Sequence, residues 1–247
     1  MHSMFGTKHL IILAISLIVI IFGAIATKKW DLQKLTKTLF AIGLVSEFIK
    51  VFYYIIANEA THGGILPKTD LPFHLCSIQI IFVAVLVYSK NEKFKELLLS
   101  FMLPSCLLGG IAALLIATTS SLNGGWILSV QYFGYHVALV IFALALLRGS
   151  VLRLSVRNYV NCLKFLAVLM LFAIYINSIL YDGVSNINFM YVASPPQSGL
   201  PFLNENHGWL VYIVHYGALV IFCVTACYIK PIFAAIRQKF QQKAPVA

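Results

Sequence analysis

Seven long apolar blocks restrict this 247-residue chain to one kind of architecture. They run over about 10–27, 39–57, 71–88, 97–117, 126–147, 163–180 and 209–229, each 18 to 22 residues long. A helix rising about 1.5 Å per residue needs roughly 20 residues to cross a hydrocarbon core about 30 Å thick. Composition points the same way: 60% of residues are hydrophobic, only 11% are charged, and mean hydropathy is +0.89. A soluble domain carries about 25% charged residues. The short alternating segments of a transmembrane β-barrel are absent. The expectation is an all-α polytopic membrane protein, a bundle of seven transmembrane helices forming one integral membrane domain over 1–247.

The formal charge of +10 raises the question of nucleic acid, and its distribution answers it. Of the 18 Lys and Arg residues, 15 fall in alternate connections or in the tail, on one side of the expected membrane. Lys8 and Lys68 fall on the other side, and Lys50 lies inside the second block. This bias predicts the N-terminus outside and the C-terminus in the cytoplasm of a multi-pass cell-membrane protein. The cations then read as topology signals and contacts to anionic lipid, with no nucleic-acid partner. Ala24 and Ala26 resemble a signal-peptide cleavage site, but Lys28 and Lys29 follow at once, so a retained first helix is expected. The five cysteines form no C-x-x-C pair, so neither a disulfide framework nor a zinc site is expected, and no metal or cofactor.

Two segments fall outside the blocks. The connection 181–208 is 28 residues long and is broken by Pro195, Pro196 and Pro201; connections of that length are often functional. In the tail 232–243, Ile232, Phe233, Ile236 and Phe240 share one helical stripe, with Arg237, Lys239 and Lys243 elsewhere. That pattern predicts an amphipathic helix on the cytoplasmic membrane surface.

Charged groups at the bilayer centre cost roughly 2.5–3.5 kcal/mol each on insertion scales, so they mark function. The second block holds Glu47 and Lys50, spaced to pair on one helical face. The third holds His74, Cys76, Ser77 and Gln79, the fifth Gln131 and His136, the sixth Asn177, the seventh His215. At about 1.5 Å per residue, all of them fall between the outer surface and the midplane. This one-sidedness predicts a polar cavity opening to the outer leaflet, lined by blocks two, three, five, six and seven. Asp70 as N-cap and Pro72 in the first turn are expected to start the third helix. On that helix His74 and Cys76 lie about 200° apart, so a base for Cys76 must come from elsewhere, His136 or His215. Each residue also has a plainer reading. Cys76 serves as small apolar filler, His136 and His215 as hydrogen-bonded packing, Glu47 and Lys50 as a structural pair, Gln131 and Asn177 as cross-helix bonds. Gly109 and Gly110, after Pro104, permit a kink and close helix contact.

The stretch "LPFHLCSIQ" resembles the Leu-Pro-x-His-Leu-Cys-Ser signature of the YwaF-type integral membrane family of bacteria. "QYFGYHVALV" and "NINFMYVASPP" are also similar to that family, with Phe189 where it usually has tyrosine. Eukaryotic relatives include a transmembrane acyltransferase that builds ether phospholipids through a cysteine. More distant relatives are the androgen-induced lipid hydrolases, which use a threonine and a histidine. The resemblance implies that Cys76 is a nucleophile, that His136 is its base, and that phospholipids or lysophospholipids are the partners. Three functions are therefore carried forward. The first is an intramembrane lipid acyltransferase or hydrolase, with Gln131, Gln79 or the amides near His74 facing the oxyanion. The second is a lipid-binding or scaffold protein without turnover. The third is a proton-coupled transporter using Glu47, Lys50, His136 and His215.

Overall fold

The computed structural model describes residues 4–57, 64–148, 152, 154–195, 203 and 208–242. Nine α-helices are found among them: α1 Thr7–Ala26, α2 Leu32–Phe52, α3 Ile78–Tyr88, α4 Glu92–Leu115, α5 Thr119–Asn123, α6 Gly125–Arg148, α7 Val156–Leu180, α8 Trp209–Cys227 and α9 Ile229–Gln242. A π-helical segment, Tyr53–Ala57, extends α2. Short 3-10 turns occupy Thr27–Lys29, Lys68–Asp70 and Phe189–Tyr191. The described residues contain no strand. Six helices, α1, α2, α4, α6, α7 and α8, are long and apolar enough to cross a membrane. Three of the helices begin on side-chain caps at the ends rich in Lys and Arg. Asp31 accepts from the Lys34 amide, Asn91 from Phe94 and Ser155 from Asn158, each satisfying one orphan N–H of a first turn.

The third block departs from expectation. Only Ile78–Tyr88 is helical, about 16 Å of rise, roughly half a hydrocarbon core. Asp70 ends a 3-10 turn instead of capping a helix. The cause is Pro72. The residue before a proline is pushed out of the helical region, and Leu71 is extended, with ψ 150. The Phe73 amide turns back on the Leu71 carbonyl at 2.8 Å. Residues 71–77 are thus a non-helical turn, and a helical angle between His74 and Cys76 has no meaning there.

α4 and α6 form the centre. Every residue of α4 from Leu98 to Cys106 is buried, and α6 packs on α1, α2, α4 and the short α5. Between membrane helices packing is driven by close fit and not by water exclusion. Gly110 supplies that fit, since a Cβ there would stand 2.7 Å from Val140 Cγ2 and 3.2 Å from the His136 carbonyl oxygen.

Pro104 lies inside α4 without ending it. Proline lacks the N–H that would bond the carbonyl four residues back, that of Ser100. Ser100 is fully buried, and an unpaired carbonyl there costs free energy. The Tyr228 hydroxyl, from just beyond α8, donates to that carbonyl at 2.7 Å. Tyr228 itself is fully buried. Tyr228→Phe removes the donor and is expected to destabilise the fold by about 1–3 kcal/mol. Pro104→Ala restores an N–H to the Ser100 carbonyl, so in that background the Tyr228→Phe cost falls. Thermal unfolding of the four proteins in one detergent measures both; equal costs in the two backgrounds would refute the pairing.

Candidate functional site

The turn 71–77 carries Cys76 and leaves backbone donors unpaired. Downstream, the Ile78, Gln79 and Ile80 amides bond the His74, Cys76 and Ser77 carbonyls. Among the described residues, the amides of His74, Leu75, Cys76 and Ser77 have no acceptor. These are the orphan N–H groups that precede any helix, set beside a thiol. Cys76 is half-buried, as are His74 and Ser77, and Ser77 makes no side-chain cap.

α6 meets this turn through Tyr135, with Tyr132 and His136 beside it on the same helix. The Tyr135 hydroxyl donates to the Cys76 carbonyl at 2.9 Å, which fixes α6 against the turn. His136 is buried, and its ring lies 4.3 Å from that of Tyr132 and 5.9 Å from that of Tyr135. Its Nδ1 lies 2.7 Å from the Tyr132 carbonyl oxygen. A carbonyl only accepts, so Nδ1 carries the proton and Nε2 keeps its lone pair. No described residue bonds Nε2.

Beside the turn, Lys50 donates to Glu47 Oε1 at 2.9 Å and to the Asp70 carbonyl at 2.8 Å. The Asp70 carboxylate is bonded by Tyr54. The Glu47–Lys50 pair anticipated from spacing is present, and it holds the chain just before Pro72. The His74 ring meets that of Phe189 edge-on at 5.0 Å and lies tilted 5.6 Å from that of Tyr191.

Phe189 and Tyr191 belong to a strap drawn from the 181–208 connection, of which 196–202 and 204–207 lie outside the described residues. The Phe189 amide and all four carbonyls of Phe189–Val192 are held by side chains of α7 and α8. Asn177 on α7 accepts from the Phe189 amide at 2.8 Å and donates to its carbonyl at 3.2 Å. On α8, Tyr216 donates to the Met190 carbonyl at 2.9 Å, Tyr212 to that of Tyr191 at 2.5 Å, and the Trp209 indole to that of Val192 at 2.9 Å. Met190 and Tyr191 have φ of 55 and 52, left-handed values that L-residues avoid. Upstream, Lys68 bonds Asp182 at 2.8 Å. Lys68 first, then the Ser185 amide and hydroxyl and the Val184 amide, hold the Asp182 carboxyl well below the usual carboxylate range. A depressed carboxyl contributes its tie above its unfolded pKa and loses it only as pH falls through the folded value, so this link persists at mildly acid pH.

The other anticipated residues divide. Gln79 is buried and donates both amide hydrogens, to the Leu75 carbonyl and the Ser105 hydroxyl, each at 3.0 Å. Its carbonyl faces the Cys106 thiol at 3.6 Å, so it has no donor left for an oxyanion. Gln131 bonds Ser46 at 2.7 Å, joining α6 to α2. His215 is exposed on α8 and does not join the group. The tyrosines were missed because an aromatic in an apolar block reads as filler. Their one signal was spacing: Tyr212 and Tyr216 sit one turn apart and stack at 6.0 Å. Among the described residues, no three His, Cys, Asp or Glu side chains converge to hold a metal ion.

The model of one family, the TMEM164 family, matches residues 4–228. No curated protein and no solved structure matches the chain.

Lys50→Met strands the half-buried Glu47 carboxylate and frees the Asp70 carbonyl. Breaking a buried pair from one side costs about 3–5 kcal/mol; because Glu47 keeps about a quarter of its side-chain surface exposed, the low end is expected. The Glu47→Gln/Lys50→Met double variant should recover part of that loss in thermal unfolding.

Proposed function

We propose, from the premise that the chain belongs to the TMEM164 family, that it is an intramembrane lipid acyltransferase or lipid hydrolase with Cys76 as nucleophile and His136 as base. The observation that carries this reading is the 2.9 Å bond from Tyr135 to the Cys76 carbonyl. It ties the thiol's turn to the helix residue next to His136, whose Nδ1 is already a donor.

In the proposed reaction His136 Nε2 accepts the Cys76 thiol proton, and the sulfur adds to the carbonyl carbon of a lipid ester. The charge moves to the carbonyl oxygen, which the unpaired amides of the 74–77 turn are suited to meet. The intermediate collapses, the ester C–O bond breaks, and the departing alkoxide takes the proton from His136. A lysophospholipid hydroxyl, or water, then attacks the thioester while His136 accepts its proton. The new C–O bond forms, the C–S bond breaks, and the thiolate is released and reprotonated. The 15 of 18 basic residues gathered in alternate connections and the tail support an arrangement with the N-terminus outside, α3 and the preceding turn completing a seventh crossing, and the site in the outer leaflet of the cell membrane.

A lipid binder without turnover would keep its function in Cys76→Ser and His136→Ala variants. A proton-coupled carrier would move substrate into proteoliposomes in response to a pH gradient; the exposed His215 gives that reading little support. The deciding experiment offers the reconstituted protein an alkyne-tagged acyl donor. A hydroxylamine-sensitive adduct on the wild type is expected, lost in Cys76→Ala and reduced about 10²–10⁴-fold in rate in His136→Ala. Equal labelling of wild type and Cys76→Ala would end the proposal.

A further inference from the structure

Four phenols lie within electrostatic reach of the Cys76 thiol: those of Tyr132, Tyr135, Tyr191 and Tyr216. Three have their hydroxyl proton committed to a backbone carbonyl. Tyr132 donates to Ala113 at 3.1 Å, Tyr135 to Cys76 at 2.9 Å and Tyr216 to Met190 at 2.9 Å. Tyr191 is different: among the described residues its hydroxyl has no acceptor. No buried side-chain oxygen or nitrogen among them is left unpartnered, so the Tyr191 hydroxyl opens onto accessible space and is not sealed in the core.

Its backbone is held as its side chain is not. Tyr191 follows Met190 in a second left-handed conformation. Such strain costs roughly 1–2 kcal/mol per residue and persists only where surrounding structure fixes it. The fixing groups are the Tyr212 and Tyr216 hydroxyls and the Trp209 indole, one stripe of α8 aimed at three successive carbonyls. The conformation turns the Tyr191 ring toward the His74 end of the catalytic turn, 5.6 Å between ring centroids.

We propose that Tyr191 is a further catalytic residue of this site, its phenol donating a hydrogen bond to the oxyanion formed when Cys76 attacks an acyl carbonyl, with Tyr212 as the positioning residue that holds its backbone. No proton changes owner in this step. The hydroxyl hydrogen stays on Tyr191 and bonds the carbonyl oxygen as negative charge develops there, supplementing the amides of the 74–77 turn. An aligned, pre-held donor of this kind is worth about 10²–10³ in rate. The inference rests on the Cys76 reading above.

The test is single-turnover acylation of the full-length protein in phosphatidylcholine vesicles by an alkyne-tagged activated acyl ester, followed on Cys76. Tyr191→Phe keeps the ring and its packing, so its thermal midpoint and its Cys76 alkylation by a neutral maleimide should match wild type. Its acylation rate should fall about 10²-fold at every pH, with the shape of the pH profile unchanged, because thiol and imidazole still set that shape. Tyr212→Phe keeps the phenol and loosens the strap, and should lower the rate by a smaller factor with normal alkylation. It is the readout if Tyr191→Phe does not fold. Acylation of Tyr191→Phe at the wild-type rate, or of Tyr212→Phe at that rate when it alone folds, overturns the assignment while leaving Cys76 as nucleophile. Absence of any Cys76 adduct on the wild type overturns both.

Discussion

Inside a bilayer a backbone amide or carbonyl without a partner has no water to turn to, and the structure is arranged around that constraint. The helical segments satisfy it within themselves. Each place where the helix is interrupted is met by a side chain from another element. Pro104 frees the Ser100 carbonyl, and Tyr228 bonds it. The strap at Phe189–Val192 leaves four carbonyls to supply, and Asn177, Tyr216, Tyr212 and Trp209 do so in turn. The turn before α3 is secured through Lys50 and Tyr135.

The turn bearing Cys76, like other helix starts, leaves consecutive amides without acceptors, here beside the one phenol of the group whose proton is uncommitted. Among the described residues every buried side-chain oxygen or nitrogen has a partner. An enzyme needs its donors held in place but unused until charge develops, and the orphan amides of a helix start are donors of that kind.

The all-helical class and the approximate limits of six long apolar helices were legible because hydrocarbon thickness acts on composition directly; the seventh expected span is not among them. The Glu47–Lys50 pair was legible from a three-residue spacing, and the cross-helix bond of Gln131 from the cost of a lone amide in lipid; Asn177 bonds the strap instead of another helix. The break at 71–77 was misread because a proline both starts helices and forbids them in the residue before it, and only the extended Leu71 decides between the two. The strap was seen as a long connection but not as a structure, since its order comes from donors on α7 and α8, far away in sequence. The tyrosines were invisible for the opposite reason: in an apolar block their rings look like packing, and their hydroxyls count only once a carbonyl is found opposite. His215 shows the limit of depth as a guide. Depth places a side chain along the helix axis and says nothing about which way it points.

Asp70 is fastened to α2 twice, through its carbonyl by Lys50 and through its carboxylate by Tyr54. The pedestal of the thiol is therefore an outrigger of the second helix more than a part of the third. Helix tilt responds to the thickness of the surrounding hydrocarbon, so a thinner or thicker membrane that leans α2 carries the sulfur along with it. The lipid environment in which the protein sits thus acts mechanically on the placement of the Cys76 sulfur.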